Sequence, residues 1–325
     1  MSDDVFVTGA TGFVGRHVTD ALLARGYGVR ALVRGERVDT LPDGCEPAIG
    51  DLCEPGALVA ALRGCRFLVH VAALYSFAPR DRDAVTEVNV RGTRGLLEAA
   101  RIAGVERAVV TSSSAAVGAA RDGRPASEAD WAEPHGPVRG YHDSKVAQER
   151  VALAARIPVI TVLPTAPLGA GDGRPTPTGR MVLDVMRSRM PATLGGGMNV
   201  VAVTDVAAGH VLALERGRPR ERYLLGGANL TLLELMRRLA VAAERRPPRG
   251  RMPYALALAA GYVDELRCRI SGAEPRVPIE GVRMGREFMY ASSEKAQREL
   301  GYAPSPIEPA IDDAVRWYRT HGYAA

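Results

Sequence analysis

The sequence predicts an α/β protein, a doubly wound parallel sheet joined to a smaller, irregular C-terminal lobe. Three observations predict it. Short β-rich runs alternate with helical periods of ten or more residues through the first half, the signature of parallel βαβ units wound right-handedly. A glycine-spaced segment stands between the first strand and the first helix. Beyond about residue 165 the alternation degrades into a Gly/Pro-rich stretch and helices broken by short strands.

The elements follow in order. Val5-Phe-Val-Thr8 is a strand, then come a helix over 13–25 and the strand Val29–Val33. A strand near 46–50, a helix near 55–63 and the strand Phe67–Val71 come next. A long helix over 83–103 leads into Ala108–Thr111, and a helix over 141–156 feeds Pro158–Leu163. In the second half, helices are expected near 179–189, 205–215, 231–245, 253–268 and 306–320, with strands near 199–203 and 222–226. The expected division is a dinucleotide-binding domain over 1–165 and a substrate-binding lobe over 166–325 that makes excursions back to the first.

Bulk properties narrow the class. At 325 residues the chain can bury one large or two joined cores. The net charge of +5 is carried by scattered arginines with no run of five or six, so nucleic acid is not an expected partner. The longest apolar stretch, around Tyr254–Val263, is far too short to cross a bilayer. Cys45, Cys53, Cys65 and Cys268 show no CxxC pairing and no metal-ligand spacing, and the first residues are acidic. These features predict a cytoplasmic protein without a metal site.

Thr8-Gly-Ala-Thr-Gly-Phe-Val-Gly15 carries the first functional signal. Gly9 allows the tight strand-to-helix turn, Gly12 close approach to a pyrophosphate, and Gly15 close packing of the helix. With Thr11, Phe13 and Val14 they form a Rossmann-type dinucleotide loop on a helix N-terminus. The acid that bonds ribose hydroxyls in NAD sites is expected at the end of the second strand, where this chain has Val33 and then Arg34. A guanidinium there favours a 2′-phosphate, hence NADP(H), with NAD(H) still possible; Arg37 is a candidate assistant. Asp51, with Leu52, is placed to meet the adenine or else to cap a helix.

The second signal is Tyr141-His-Asp-Ser-Lys145. Lys145 and Lys295 are the only lysines, against 40 arginines, and chance gives about 0.06 Y-x-x-x-K pairs in such a chain. On a helix the two side chains share one face. An ammonium beside a phenol favours the phenolate, so Tyr141 is expected below its ordinary pKa and able to pass a proton at a carbonyl or alcohol oxygen. Ser112, Ser113 and Ser114 end the fifth strand, where open α/β sheets bind ligands, and spacing alone does not choose among them.

Taken together, TGATGFVG (8–15), GDL (50–52), HVAA (70–73), VNVRGT (88–93), TSSS (111–114), the Tyr/Lys pair and the segment 292–318 resemble the extended short-chain dehydrogenase/reductases. The resemblance runs end to end. It implies Ser113 as the catalytic serine, Tyr141 as acid/base with Lys145 as its partner, and Asn89 as a helix residue that orders the site. It further implies that Ala72 and Ala73 line the cofactor, that Pro164 sits by the nicotinamide, and that the helices near 83–103 and 141–156 form a homodimer bundle. Within the superfamily the segments 163–180, 203–217, 223–232 and 274–302 are most similar to hopanoid-associated sugar epimerases and dihydroflavonol-reductase-like members. Ala116 in place of a common Thr, and Ala202 and Thr204 in place of a His and an Asp, are departures.

The reaction is read from what is absent. Dehydratases of this superfamily carry an Asp-Glu pair after the active-site hydroxyl; here Ser-Ala-Ala stands there. Nucleotide-sugar epimerases tend to have an Asn after the sixth strand; here the chain reads Leu163-Pro-Thr-Ala166. Reduction of a ketone, or its reverse, on a small-molecule substrate is therefore expected, with Tyr75, Arg80, Ser114, Arg180 and Arg283 as candidate pocket residues. A sugar epimerase is the alternative. A non-catalytic NADP-binding sensor is the alternative from another class, and it typically loses the Tyr or the Lys.

Overall fold

The computed structural model describes residues 3–76, 79–119, 122–133, 140–271 and 279–323. The first half contains β1 (Val5–Thr8), α1 (Phe13–Ala24), β2 (Val29–Val33), β3 (Cys45–Ile49), α2 (Pro55–Leu62) and β4 (Phe67–His70). A long helix follows as α3 (Arg82–Thr86), a π-helical turn (Glu87–Gly92) and α4 (Thr93–Ala103). Then come β5 (Arg107–Thr111), α5 (Tyr141–Leu153) and β6 (Val159–Pro164). The second half contains β7 (Ala166–Leu168), α6 (Pro177–Met186), β8 (Gly197–Ala202), α7 (Val203–Arg216), β9 (Arg222–Leu225) and β10 (Ala228–Thr231). It ends with α8 (Leu232–Ala242), α9 (Tyr254–Ser271), α10 (Ile279–Met284), β11 (Phe288–Met289), α11 (Glu294–Leu300) and α12 (Glu308–Thr320).

Every residue of β1, β6 and β9 is buried, as strands covered on both faces require. These strands belong to one seven-stranded sheet of order β3-β2-β1-β4-β5-β6-β9. All its pairings are parallel. The chain reverses direction across the sheet between β1 and β4, so a crevice opens at their carboxyl ends, the position where such sheets bind ligands. On one face Val18, Leu22, Val211, Leu214 and Leu300 join α1, α7 and α11 to the sheet. On the other, Leu58, Leu62, Leu96, Leu97 and Ala152 do the same for α2, α4 and α5. Each such valine or leucine burial stabilises the fold by about 1.5–3 kcal/mol before entropy is counted.

In the smaller sheet, β8 pairs antiparallel with β10 on one edge and parallel with β11 and β7 on the other. A separate core of Val182, Leu235, Leu239, Ile311 and Tyr318 ties α6, α8 and α12 to it. Although they come from the second half, α7, β9 and α11 pack with the large sheet. The elements missed from sequence were β7, β10, α10, β11 and α11, each two to seven residues long, too short for a periodicity to show. The helix expected over 83–103 exists but changes winding through the π turn. Residues 274–278 of the 274–302 segment lie outside the described residues.

Candidate active site

The loop after β1 is shaped by contacts that only glycine permits. Gly9 has φ +79°, and a Cβ there would lie 2.7 Å from the Ala72 nitrogen, so the loop after β1 abuts the loop after β4. A Cβ on Gly15 would lie 1.9 Å from the Gly9 carbonyl oxygen. The helix therefore starts directly against the loop, a tighter contact than the helix-to-sheet packing expected. Gly12 caps α1 with no side-chain bond, and the first turn holds no acidic residue, so its N–H groups and positive dipole end face the crevice. This cradle suits a pyrophosphate.

The crevice is a cleft of about 1430 Å³. That exceeds the roughly 300–1,000 Å³ of ordinary small-molecule sites and gives room for a dinucleotide and a second molecule. Gly9, Thr11, Gly12, Phe13, Val14 and Gly15 line one end, with Arg34, Asp51, Leu52, Ala72 and Ala73. Ser113, Ser114, Tyr141, Lys145, Pro164, Tyr75 and Arg180 line the cleft as well. Arg80 and Arg283, expected at the pocket, do not line it; Arg80 is 66% exposed beside Asp81. Asp51 caps no helix, because Glu54 occupies that position before α2. Its Oδ1 accepts instead from the Cys53 N–H at 2.8 Å, which turns the chain at the cleft edge.

The serines divide by direction. Ser112 points inward and donates to Glu149 Oε2 at 2.8 Å. Ser113 caps a short 3₁₀ turn by accepting from the Ala115 N–H at 3.1 Å and hydrogen-bonds the Tyr141 phenol. The geometry thus selects Ser113 as the tyrosine's partner. Tyr141 starts α5, is 8% exposed, and meets the Tyr75 ring at 4.2 Å between centroids.

Lys145 is turned away from the expected arrangement. Its ammonium donates to the Thr111 carbonyl at 2.9 Å and to Gln148 Oε1 at 2.7 Å, and lies 5.9 Å from the Tyr141 ring centroid. Burial pushes the Tyr141 phenol above its ordinary value, and the Ser113 bond pulls the other way. The expected depression of Tyr141 by Lys145 is therefore corrected: desolvation of the phenol outweighs a charge held at that distance. Burial also pulls Lys145 down to about 7, with Glu149 opposing.

Behind Lys145 runs a buried polar chain. Gln148 Nε2 donates to Thr93 Oγ1 at 3.0 Å, and Thr93 Oγ1 donates to the Asn89 carbonyl at 2.7 Å. His70 Nε2 lies 2.8 Å from the same Thr93 oxygen, so it must donate, and Nδ1 accepts from Thr8 Oγ1 at 2.7 Å. Burial, then Lys145, pulls His70 down to about 3, which keeps it neutral. Asn89, fully buried in the π turn, does not face the cleft. Its amide accepts from the Leu74 N–H at 2.7 Å and donates to the Leu74 carbonyl and Ser144 Oγ, each at 3.0 Å. It clamps the loop after β4 to α5.

Glu149 anchors the other side of α5. Arg222 Nε donates to it at 2.8 Å and Thr161 Oγ1 at 2.9 Å, while the Trp131 ring covers the guanidinium at 3.7 Å. Arg222 donates also to the Glu128 and Asp130 carbonyls, so the buried ion pair is fully bonded.

The wall supplied by the second half is different in kind. Met190, Met198, Met236, Met252 and Met289 line it. Asn199, an amide at the cleft that the sequence reading missed, accepts from Thr165 Oγ1 and the Gly227 N–H and donates to Asn229 Oδ1, all at 2.8 Å. The Gly/Pro loop is pinned by Asp172, which accepts from Thr176 and Tyr318. It carries Arg174 to the cleft end where Arg34 and Arg37 stand. Burial, then the charges of Arg174 and Arg34, lower Arg37 from its ordinary value.

A family description, "NAD dependent epimerase/dehydratase family", matches residues 5–226. The chain belongs to the NAD-dependent epimerase/dehydratase family. It is 41% identical over 334 aligned residues to the "Putative dihydroflavonol 4-reductase" of Synechocystis sp., covering 99% of this chain and 96% of that one. It is 34% identical to the 4-hydroxy-2-methyl-3-oxo-4-farnesyl-3,4-dihydroquinoline-1-oxide ketoreductase of Stigmatella aurantiaca, with 96% and 95% covered. The crystal structure of gox2253 matches all of both chains at 42% identity with a TM-score of 0.87.

Membership makes the protein an NAD(P)-dependent enzyme of the extended short-chain dehydrogenase/reductase type, acting on a small molecule. In this family member the sequence reading missed Gln148, Thr93 and Arg174. Gln148 had a signal: it stands three residues after Lys145 and seven after Tyr141, on the same helix face. Arg174 had none, since only the tertiary fold brings it to Arg34. No described helix is long and apolar enough to cross a membrane, and no described group of acidic, His or Cys residues could hold a metal.

Proposed function

We propose that the protein transfers a hydride between NADP(H) and an apolar ketone or secondary alcohol, acting chiefly as a ketoreductase. The observation that carries this reading is the bonded Ser113–Tyr141 pair on the cleft floor, opposite a methionine wall. The glycine loop would hold the pyrophosphate of a dinucleotide whose reduced nicotinamide would supply a hydride to the carbonyl carbon. Ser113 donates a hydrogen bond to the carbonyl oxygen, and Tyr141, protonated as burial dictates, gives that oxygen its proton. Lys145 holds positive charge nearby and orients the site. The ketoreductase relative supports reduction, and its farnesylated substrate supports an apolar one.

NADP(H) preference is supported by three guanidiniums, Arg34, Arg37 and Arg174, whose mutual repulsion a phosphate dianion relieves. Glu36 stands 3.5 Å from Arg34, but both are exposed and the pair is weak. In this reading residues 1–165 bind the cofactor with help from Arg174, the rest of residues 166–325 choose the substrate, and two copies join through α3–α4 and α5. The free state of all four cysteines supports a cytoplasmic setting.

NADPH and NADH oxidation, followed by absorbance with a ketone panel, tests the proposal. Net NADPH-dependent reduction is expected. A copurified NAD that never exchanges, with isomerisation and no net redox change, would establish the epimerase instead. Dinucleotide binding without turnover on any ketone or sugar nucleotide would establish the sensor.

A further inference from the structure

The helix α9 is turned inside out. Leu256, Tyr262, Val263, Leu266 and Ile270 are between 53% and 82% exposed. Ala255, Ala259 and Ala260 are exposed with them. At about 100° per residue these positions fall on one stripe, about 21 Å long from Leu256 to Ile270. Among the described residues of α9, every exposed one except Ser271 is apolar. Asp264 and Glu265, half-buried, lie on the opposite side, against the protein, and Arg267 at the edge of the stripe folds onto Asp264 at 2.7 Å. A helix of a globular protein normally presents its apolar stripe to the core and its charges to water.

One end of the stripe is basic. Exposed Arg246, Arg249 and Arg251 precede α9, and α10 packs back on α9 so that exposed Arg286 stacks 5.3 Å over the Tyr254 ring at that same end. The stripe also adjoins the cleft. Met252 just before α9, Gly281 and Gly285 around α10, and Met289 line the apolar end of the cleft, and α10 packs on α9.

We propose that α9 seats in the headgroup region of an anionic lipid surface, bringing the apolar end of the cleft against the membrane. A wide apolar stripe with an arginine cluster at its end is the pattern of a helix that lies in an interface. Anionic lipid supplies the charge that the cluster requires. A second copy seated on the stripe fits less well: every exposed described residue of α9 except Ser271 is apolar, so the stripe offers the arginines no anionic partner. The docking stands whatever the cleft catalyses; only delivery of an apolar substrate from the membrane rests on the ketoreductase reading.

The test is flotation of the full chain with phosphatidylcholine vesicles, with and without phosphatidylglycerol. Expected is flotation with the anionic vesicles, weakened by high salt and by omission of phosphatidylglycerol. Val263→Glu and Leu266→Glu should each lower the bound fraction at least about tenfold, since each removes a Leu-sized transfer contribution. Both side chains already face water, so Tm, dinucleotide binding and turnover of a water-soluble ketone should stay unchanged. Absence of wild-type flotation, or unchanged flotation of both variants, overturns the proposal. So does loss of a dimer in light scattering for these variants without any vesicle binding, which would assign the stripe to a second copy.

Discussion

The two walls of the cleft are built on opposite principles. The wall from the first half is wired: Lys145, Gln148, Thr93, His70 and Thr8 form a chain of hydrogen bonds, and Tyr141 stands beside it, bonded to Ser113. The wall from the second half mixes polar groups such as Asn199 with a patch of methionines, whose unbranched side chains adapt to irregular shapes. A wired wall fixes where a proton and a charge stand to a few tenths of an ångström, as chemistry requires. An adaptable wall selects by size and hydrophobicity, at modest discrimination per contact. The proposed function puts the reaction on the wired wall and the choice of substrate chiefly on the adaptable one.

Four experiments sharpen or break this contrast. The largest effect is expected for Tyr141→Phe, a loss of about 10²–10⁴ in kcat with NADPH affinity retained by fluorescence titration. Residual activity within a few-fold of wild type would remove Tyr141 from the chemistry. Next, Arg174→Ala, like Arg34→Ala, should raise KM for NADPH about tenfold or more and leave KM for NADH nearly unchanged. An unchanged NADPH/NADH ratio would take the arginine cluster out of cofactor selection.

Gln148→Leu tests the wiring itself. Lys145 sits at about 7, so its charged form is lost as pH rises through that value, and reductive kcat/KM should fall there. Gln148 Oε1 accepts from the charged form, so removing it moves the fall to lower pH. The variant should be several-fold slower at neutral pH and nearer wild type in mild acid. A merely structural defect would lower the rate by one factor at every pH. The smallest effect is expected for Met236→Leu on the adaptable wall: less than about tenfold in kcat/KM, different for substrates of different bulk, with no movement of the pH profile.

What could be read from sequence divides along the same line. Gly9, Gly12 and Gly15, and Tyr141 with Lys145, were legible because a loop or one turn of helix fixes their spacing locally. The choice of Ser113 was not, because it depends on which way the chain turns after β5; Ser112 goes to Glu149 and Ser113 to Tyr141. The sign of the Tyr141 shift was also beyond the sequence, since burial and the rotamer of Lys145 decide it. The methionine wall carries no local pattern at all. Met190, Met198, Met236, Met252 and Met289 come from separate segments and meet only when the second sheet forms.

The scarcity of lysine has a practical side. Lys295 bonds Glu221 at 2.6 Å and keeps only 19% of its side chain exposed. Lys145 lines the cleft and, at about 7, is largely an unprotonated and hence nucleophilic amine in mildly alkaline solution. An amine-acylating probe narrow enough to enter the cleft therefore meets one reactive lysine, and bound dinucleotide should shield it. A chain that uses arginine almost everywhere else thus offers one lysine at its candidate active site for covalent labelling, distinguishable by mass spectrometry from the α-amino group without any mutation.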